Sequence, residues 1–459
     1  MQKTLFITVY DGDTEKVILR SQILVLLKAA GHRVVLCVRG ASRLQYYKDA
    51  FEKDNVTVEL LPPAQTKLEL IWHHLSWNTV PTHSVYLRRN ITFQKKKQYV
   101  RFFFEYLAWL LGHVRLWREF LRFVYLHSPD TYAGQLFDTY KPDLVFSPNM
   151  FSPEDCRMLR AAKKRGIPTV ATAKSWDVLT TKAFSRVRAD RLLVFNEFNK
   201  EEAVRLADYK PQNVVITGFP QFDAYAHEEL FESREAFMER MGGDTNKRMI
   251  LIAVPGDWKT PHTKEIMVEL QKRIDAGHFK KPLQVLARFH PKYPDSSEGL
   301  KLKDFIFDRP GTHFTNKRET SIDMGVKDSY AWTFTDKDIA HLASSIRHSD
   351  IIINTESTLT LDAAANDRPT ILIGYDGDAT LPYWDQVARI YERDHYKHVT
   401  ETKAAPLVKS HDELEREINR FLEDPEYLRQ ERELLKRNLM FKVDGQSSKR
   451  VADAVLALI

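Results

Sequence analysis

The chain has 459 residues, 43% hydrophobic and 28% charged, with a net charge of +6. That length exceeds what one ordinary core uses, so two domains are expected, and the composition excludes a disordered or membrane-spanning chain. Cys37 and Cys156 are its only cysteines, which argues against a disulfide framework or a structural zinc site, while the small basic excess suits anionic ligands, an anionic membrane surface or an ordinary enzyme alike.

Thr4 to Val9 (TLFITV) reads as a buried strand entered directly after Met1-Gln2-Lys3, so no signal peptide and a cytoplasmic location are expected. Tyr10-Asp11-Gly12-Asp13 is a turn. Val17, Ile18, Ile23, Leu24 and Leu27 then recur at helical spacing up to Gly31, and Val34 to Val38 is a second strand. Strand, helix and strand at this length imply a right-handed parallel crossover and the start of a doubly wound sheet, whose ligands sit at strand carboxyl ends. Asp13 is placed to cap the helix. Asp11, beside Gly12, is the better candidate for chemistry, with a turn-forming aspartate as the alternative. Neither G-x-G-x-x-G nor a Walker-type G-x-x-x-x-G-K is present.

Val56 to Leu60 is a third strand, and a helical insertion is expected around 67–127. Its 86–125 stretch is basic and aromatic: Arg88, Arg89, Lys95, Lys96, Lys97, Arg101, Arg115, Arg118 and Arg122 stand against Glu105 and Glu119. One reading is a helix lying on an anionic membrane surface, peripheral to the inner face of the cell membrane. The other is an insertion that packs its aromatics on the sheet while its arginines snorkel. No nucleic-acid module accompanies the charge, so no nucleic acid is expected. The most apolar window, Phe102 to Leu111, is too short to span a bilayer.

Strands resume at Asp143 to Phe146, Thr169 to Thr172, Arg191 to Phe195 and Val214 to Thr217. Lys174, Trp176 and Asp177, at a strand end, are candidate substrate contacts, with surface loop and core anchor as alternatives. Gly218-Phe219-Pro220 reads as the exit from a first domain, giving domains 1–222 and 223–459. The second domain repeats the pattern. Met249 to Val254 leads into a loop containing Gly256, and Leu283 to Ala287 runs into Arg288-Phe289-His290-Pro291-Lys292, a histidine and two cations suited to a phosphate. Ile351 to Ile353 is a strand, Thr355-Glu356-Ser357-Thr358 a hydroxyl-rich turn, Leu359 to Asn366 a helix and Thr370 to Ile373 a strand. That turn is an anion site at a helix start, or Thr355 or Ser357 simply caps the helix.

Several segments carry a resemblance. Val214 to Asp223 (VVITGFPQFD) is similar to the interdomain segment of GT-B enzymes and of sugar-nucleotide 2-epimerases. Arg288 to Pro291 resembles the His-Pro motif of bacterial sialyltransferases and of CDP-glycerol glycerophosphotransferases, and Ser357-Thr358 their Ser-Ser/Thr motif. Asp444 to Ala452 (DGQSSKRVA) resembles the ending of surface-polysaccharide transferases, and Ser175-Trp176-Asp177 and Asp394-His395-Tyr396 resemble segments of that broad group. The resemblance implies an α/β GT-B fold: two doubly wound Rossmann-like domains facing across a cleft, with a C-terminal helix crossing back. It implies a metal-independent, inverting glycosyltransferase without a cofactor, moving a sugar from a nucleotide-activated donor to a glycan or lipid-linked acceptor in cell-surface polysaccharide synthesis. His290, Ser357 and Thr358 would hold the donor phosphate, Arg288 or Lys292 would add charge, and Asp11 would take the acceptor's proton. Gly12, Gly256 and Glu356 join Lys174, Trp176 and Asp177 as expected substrate contacts. Two departures stand out. Tyr10-Asp11-Gly12 keeps one acid before the glycine where sialyltransferases have two, and Thr355-Glu356-Ser357-Thr358 replaces the Asp-Ser-Gly-Gly of the epimerases. The alternatives are a CDP-glycerol-type glycerophosphotransferase, a sugar-nucleotide 2-epimerase and a non-catalytic glycan- or lipid-binding protein.

Overall fold

Runs such as Leu5-Phe6-Ile7 and Met249-Ile250-Leu251-Ile252 have no polar face, as strands covered on both sides require. The computed structural model describes residues 2–9, 11–64, 66–255, 262–293, 299–321 and 326–459, with backbone alone at 42, 312–321 and 326–331. Two compact units emerge: Met1–Gln221 together with Gln446–Ile459, and Phe222–Gly445.

The first unit holds seven strands: β1 (Thr4–Val9), β2 (Arg33–Val38), β3 (Val56–Leu60), β4 (Leu144–Ser147), β5 (Thr169–Thr172), β6 (Arg191–Val194) and β7 (Val214–Ile216). They are ordered β3-β2-β1-β4-β5-β6-β7, all parallel, so the winding reverses between β1 and β4. Strand alternation divides the core. Leu5, Ile7 and Val9 join Ile23, Leu27 and Val455 in one layer, and Phe6 joins Val35, Phe137 and Met158 in the other. Val451 and Val455 of the last helix, Ser447–Leu456, are thereby buried in the first unit's core: the C-terminal helix crosses back as expected, and the expected second domain 223–459 ends at Gly445. The single helix expected from the spacing of Val17 to Leu27 is two, Gly12–Ile18 and Gln22–Ala29, because Ser21 Oγ accepts the N–H of Ile23 and starts a new helix.

The insertion forms four helices, Lys67–Asn78, His83–Gln94, Tyr99–Gly112 and Arg115–His127. Its arginines do not all snorkel, while Trp109 and Trp117 pack against a buried cluster. Arg118 and Arg122 turn inward onto Asp208, and Arg89 is buried among the rings of Tyr86, Phe102, Tyr106 and Trp109. Phe103, Phe104, Phe120 and Phe123 face outward. Asp208 explains the inversion, since a carboxylate that accepts from two arginines repays part of their desolvation. Burial alone would raise its carboxyl, but the hydrogen bonds from Arg118 and the charge of Arg122 hold it below the ordinary range. Gly112 lets the third helix end against the first. A Cβ there would lie 1.8 Å from the carbonyl oxygen of Thr79, so no larger residue fits without displacement.

The second unit contains β8 (Arg248–Val254), β9 (Leu283–Phe289), β10 (Phe305–Asp308), β11 (Thr312–Ser321), β12 (Val326–Thr333), β13 (Ile351–Asn354), β14 (Thr370–Ile373) and β15 (Leu407–Val408). Six form a parallel sheet ordered β10-β9-β8-β13-β14-β15, and β11 and β12 pair as an antiparallel hairpin. Among the described residues no helix is long and apolar enough to cross a membrane.

Candidate functional site

In the second unit the winding reverses between β8 and β13, and a crevice at the carboxyl ends of such strands is where open α/β sheets take ligands. A narrow cavity opens there, lined by Ala253, Thr263, Asn354, Thr355, Tyr375 and Asp376. Burial pushes the Asp376 carboxyl up, and its oxygens accept the backbone N–H of Val387. Gly256, expected at this edge, lies outside the described residues.

Ser357 and Thr358 follow β13, and His290 follows β9. Only β8 lies between those strands, so their axes are two inter-strand spacings, about 10 Å, apart. Side chains reaching toward one another across that gap could close on a phosphate. His290 is exposed, and its Nδ1 accepts the backbone N–H of Lys292 at 3.1 Å. Ser357 Oγ accepts the N–H of Leu359 at 3.2 Å, so the hydroxyl supports the start of the helix Leu359–Ala365 while remaining only half-buried. Both sequence readings of Ser357 are thus compatible with one residue.

The turn is fixed from outside. Glu356 has φ +43, an unfavourable backbone for a residue with a Cβ, and its carboxylate accepts from Arg393 Nη1 at 2.8 and 3.0 Å, with His395 Nε2 at 3.4 Å. The N–H groups of Glu356 and Ser357 point to the hydroxyls of Tyr391 and Tyr396, both phenols pushed up by burial. Tyr396 also pairs with Thr360, which bonds Asn354. This clamp was not assigned from sequence. Asp394-His395-Tyr396 is legible as a motif, but nothing in the linear pattern couples it to residue 356.

Arg288 is placed differently from expectation. It is buried and ion-paired to Asp308, which also meets His341 Nε2 at 3.0 Å. Burial works to raise the Asp308 carboxyl, but His341 and the Arg288 guanidinium hold it below its ordinary value. Arg288 therefore braces the end of β9, with its charge already balanced; Lys292, half-buried beside His290, is the better placed of the two cations.

In the first unit Asp11 and Lys174, at the carboxyl ends of β1 and β5, form an ion pair, with Asp13 3.4 Å from the same ammonium. Asp11, not Asp13, caps the helix, its Oδ1 accepting the N–H and Oγ1–H of Thr14, each at 2.8 Å. Gly12 is the buried first residue of that helix. Lys174 has φ +60, a strained position of the kind that collects at functional sites. Trp176 is buried, its carbonyl accepting from Asn199, and is the core anchor of its loop. Asp177 Oδ2 accepts from Thr181 Oγ1. Among the described residues no group of three or more His, Cys, Asp or Glu side chains is arranged to hold a metal ion.

A family model described as CDP-glycerol:poly(glycerophosphate) glycerophosphotransferase matches residues 168–457, more than half of the chain. No curated protein sequence matches it. Among solved structures, the UDP-GlcNAc 2-epimerase from Neisseria meningitidis bound to UDP-GlcNAc is similar at a TM-score of 0.57 and 13% identity, covering 99% of this chain and 100% of that one. The S. aureus MnaA–UDP co-structure gives 0.55 and 13%, covering 100% and 98%. The wall teichoic acid polymerase TagF gives 0.52 and 11%, covering 99% and 88%. At such identities the likeness is one of fold, the two-domain GT-B architecture.

Proposed function

Because the chain belongs to the CDP-glycerol:poly(glycerophosphate) glycerophosphotransferase family, we propose that it transfers a glycerol phosphate or closely related phosphoalcohol from a cytidine-diphosphate-activated donor to a hydroxyl of a surface polymer or its lipid-linked precursor. Sequence motifs favoured glycosyl transfer and kept glycerophosphoryl transfer as the alternative; the family match favours the second. One observation carries the reading: the matched region contains both His290-Pro291 and Ser357-Thr358, which the fold sets at the carboxyl edge of one parallel sheet.

In this reaction the acceptor oxygen bonds to the glycerol-bearing phosphorus, the bridging P–O bond breaks, and its electron pair leaves with CMP. His290 Nε2–H and the hydroxyls of Ser357 and Thr358 would donate to the phosphate oxygens where negative charge grows, with Lys292 adding charge. Glu356 would act through the turn, since its carboxylate is held by Arg393. Asp11, whose carboxylate is ion-paired to Lys174, is our candidate for the group that takes the acceptor's proton.

Product analysis tests the reading. Incubation with CDP-glycerol and a glycerophosphate-primed acceptor should release CMP and leave phosphate on the acceptor. Release of a nucleoside diphosphate from a nucleotide sugar would instead indicate glycosyl transfer. Isomerisation of a nucleotide sugar without acceptor would indicate an epimerase.

A further inference from the structure

We infer that the narrow cavity at the carboxyl ends of β8, β13 and β14 is the subsite for the alcohol carried by the donor, with Asp376 accepting a hydrogen bond from its terminal hydroxyl. The inference rests on the glycerophosphoryl-transfer reading. Position supports it first. Asn354 and Thr355 form one wall of the cavity and lead directly into Glu356-Ser357-Thr358, the turn proposed to hold the phosphate. A group esterified to that phosphate has the cavity beside it.

The chemistry of the lining asks for a hydroxyl. Asp376 is 8% exposed, and both its oxygens accept the same donor, the backbone N–H of Val387, at 3.2 and 3.0 Å. Among the described residues no cation pairs with it. A carboxylate has about four lone-pair sites, and burial, the largest influence on this one, pushes it up. An O–H brought by a ligand would meet the unused lone pairs and offset that desolvation. His262, also in the lining, meets Glu265 Oε2 through Nδ1 at 3.1 Å, so its neutral ring offers a second acceptor at Nε2. Size narrows the choice further. The cavity measures about 20 Å³, where a single water needs about 10–15 Å³. Ile266, Ile353 and Ile373 give it apolar walls that suit a methylene. A hydroxymethyl tip fits; a pyrimidine or a sugar ring does not.

Isothermal titration calorimetry of the full-length protein, without acceptor, tests it with CDP, CDP-glycerol and the CDP-alcohol in which glycerol's terminal hydroxyl is replaced by hydrogen. Wild type should bind CDP-glycerol about tenfold or more tighter than the deoxy compound. Asp376→Asn, which keeps an oxygen for the N–H of Val387 but loses the charge, should lower that preference with unchanged circular dichroism, and Asp376→Ala should abolish it. Ala253→Val, which narrows the cavity and leaves Asp376 in place, should weaken CDP-glycerol more than CDP. Equal affinity of wild type for both alcohols would overturn the inference while leaving glycerophosphoryl transfer untouched, since the cavity would then hold no more than water. So would an undiminished preference in both Asp376 variants, or an equal loss of CDP and CDP-glycerol in folded Asp376→Asn. Failure of wild type to bind any of the three ligands would overturn the glycerophosphoryl-transfer reading and the inference with it.

Discussion

Nδ1 of His290 accepts the backbone N–H of Lys292. With that nitrogen occupied as an acceptor, the neutral ring carries its proton on Nε2, ready to donate to a phosphate oxygen. His290→Ala should lower kcat by on the order of 10² or more with the fold intact. His290→Gln, whose amide nitrogen reaches to about the Nε2 position, should restore part of the loss. Steady-state kinetics with CDP-glycerol check both, and equal activities for Ala and Gln would remove the role of an Nε2 donor.

Asp11 serves as helix cap and as partner of Lys174, and the two roles separate by substitution. Asp11→Asn keeps an acceptor for Thr14 and should leave the melting temperature nearly unchanged. Asp11→Ala should cost about 1 kcal/mol through the lost cap. If the carboxylate takes the acceptor's proton, both variants lose turnover alike; full activity in Asp11→Asn would reduce the residue to a cap.

Asp208→Ala would leave Arg118 and Arg122 buried without their carboxylate. Removing one side of such a pair costs about 3–5 kcal/mol. Urea unfolding should show that loss, while nucleotide binding by the second unit's site stays near the wild-type level in native buffer.

Asp130 links Arg157 and Arg160 beneath the first sheet. Burial works to raise its carboxyl, yet the hydrogen bonds from the two arginines bring it down to about 2. A depressed carboxyl contributes stability above its unfolded value, near 3.8, and that contribution is lost as pH falls toward the folded value. Thermal unfolding should therefore find Asp130→Asn less stable than wild type at pH 6, with the difference shrinking below pH ~4. A constant difference across that range would contradict the assignment.

Parallel strands were the legible part of the sequence, because burial on both faces makes each an unbroken apolar run, as in Leu5 to Ile7 or Ile351 to Ile353. The hairpin of β11 and β12 was not legible: THFTNKRETS has no apolar alternation to announce a strand, and its pairing includes register shifts. β15, two residues long, gave no window to read. His290 and Ser357-Thr358 were legible as motifs at strand ends. The ion pair of Arg288 was not legible because its partner, Asp308, lies on the next strand of the sheet. The orientation of the insertion was hidden for a similar reason, since Asp208 turns Arg118 inward from 90 residues away.

Glu356 keeps a left-handed backbone in the turn that carries Ser357 and Thr358, and the restraints on that turn come from Tyr391, Arg393 and Tyr396. A strained loop held by a distant segment cannot relax alone: opening either segment releases the other. The two should behave as one unit of local unfolding, with amides of 354–360 and 391–396 exchanging hydrogen at a common free energy. Arg393→Ala would then loosen the hydroxyl-bearing turn without touching any group that meets the donor. The competence of the proposed phosphate site would thus be governed by a segment some 35 residues further along the chain.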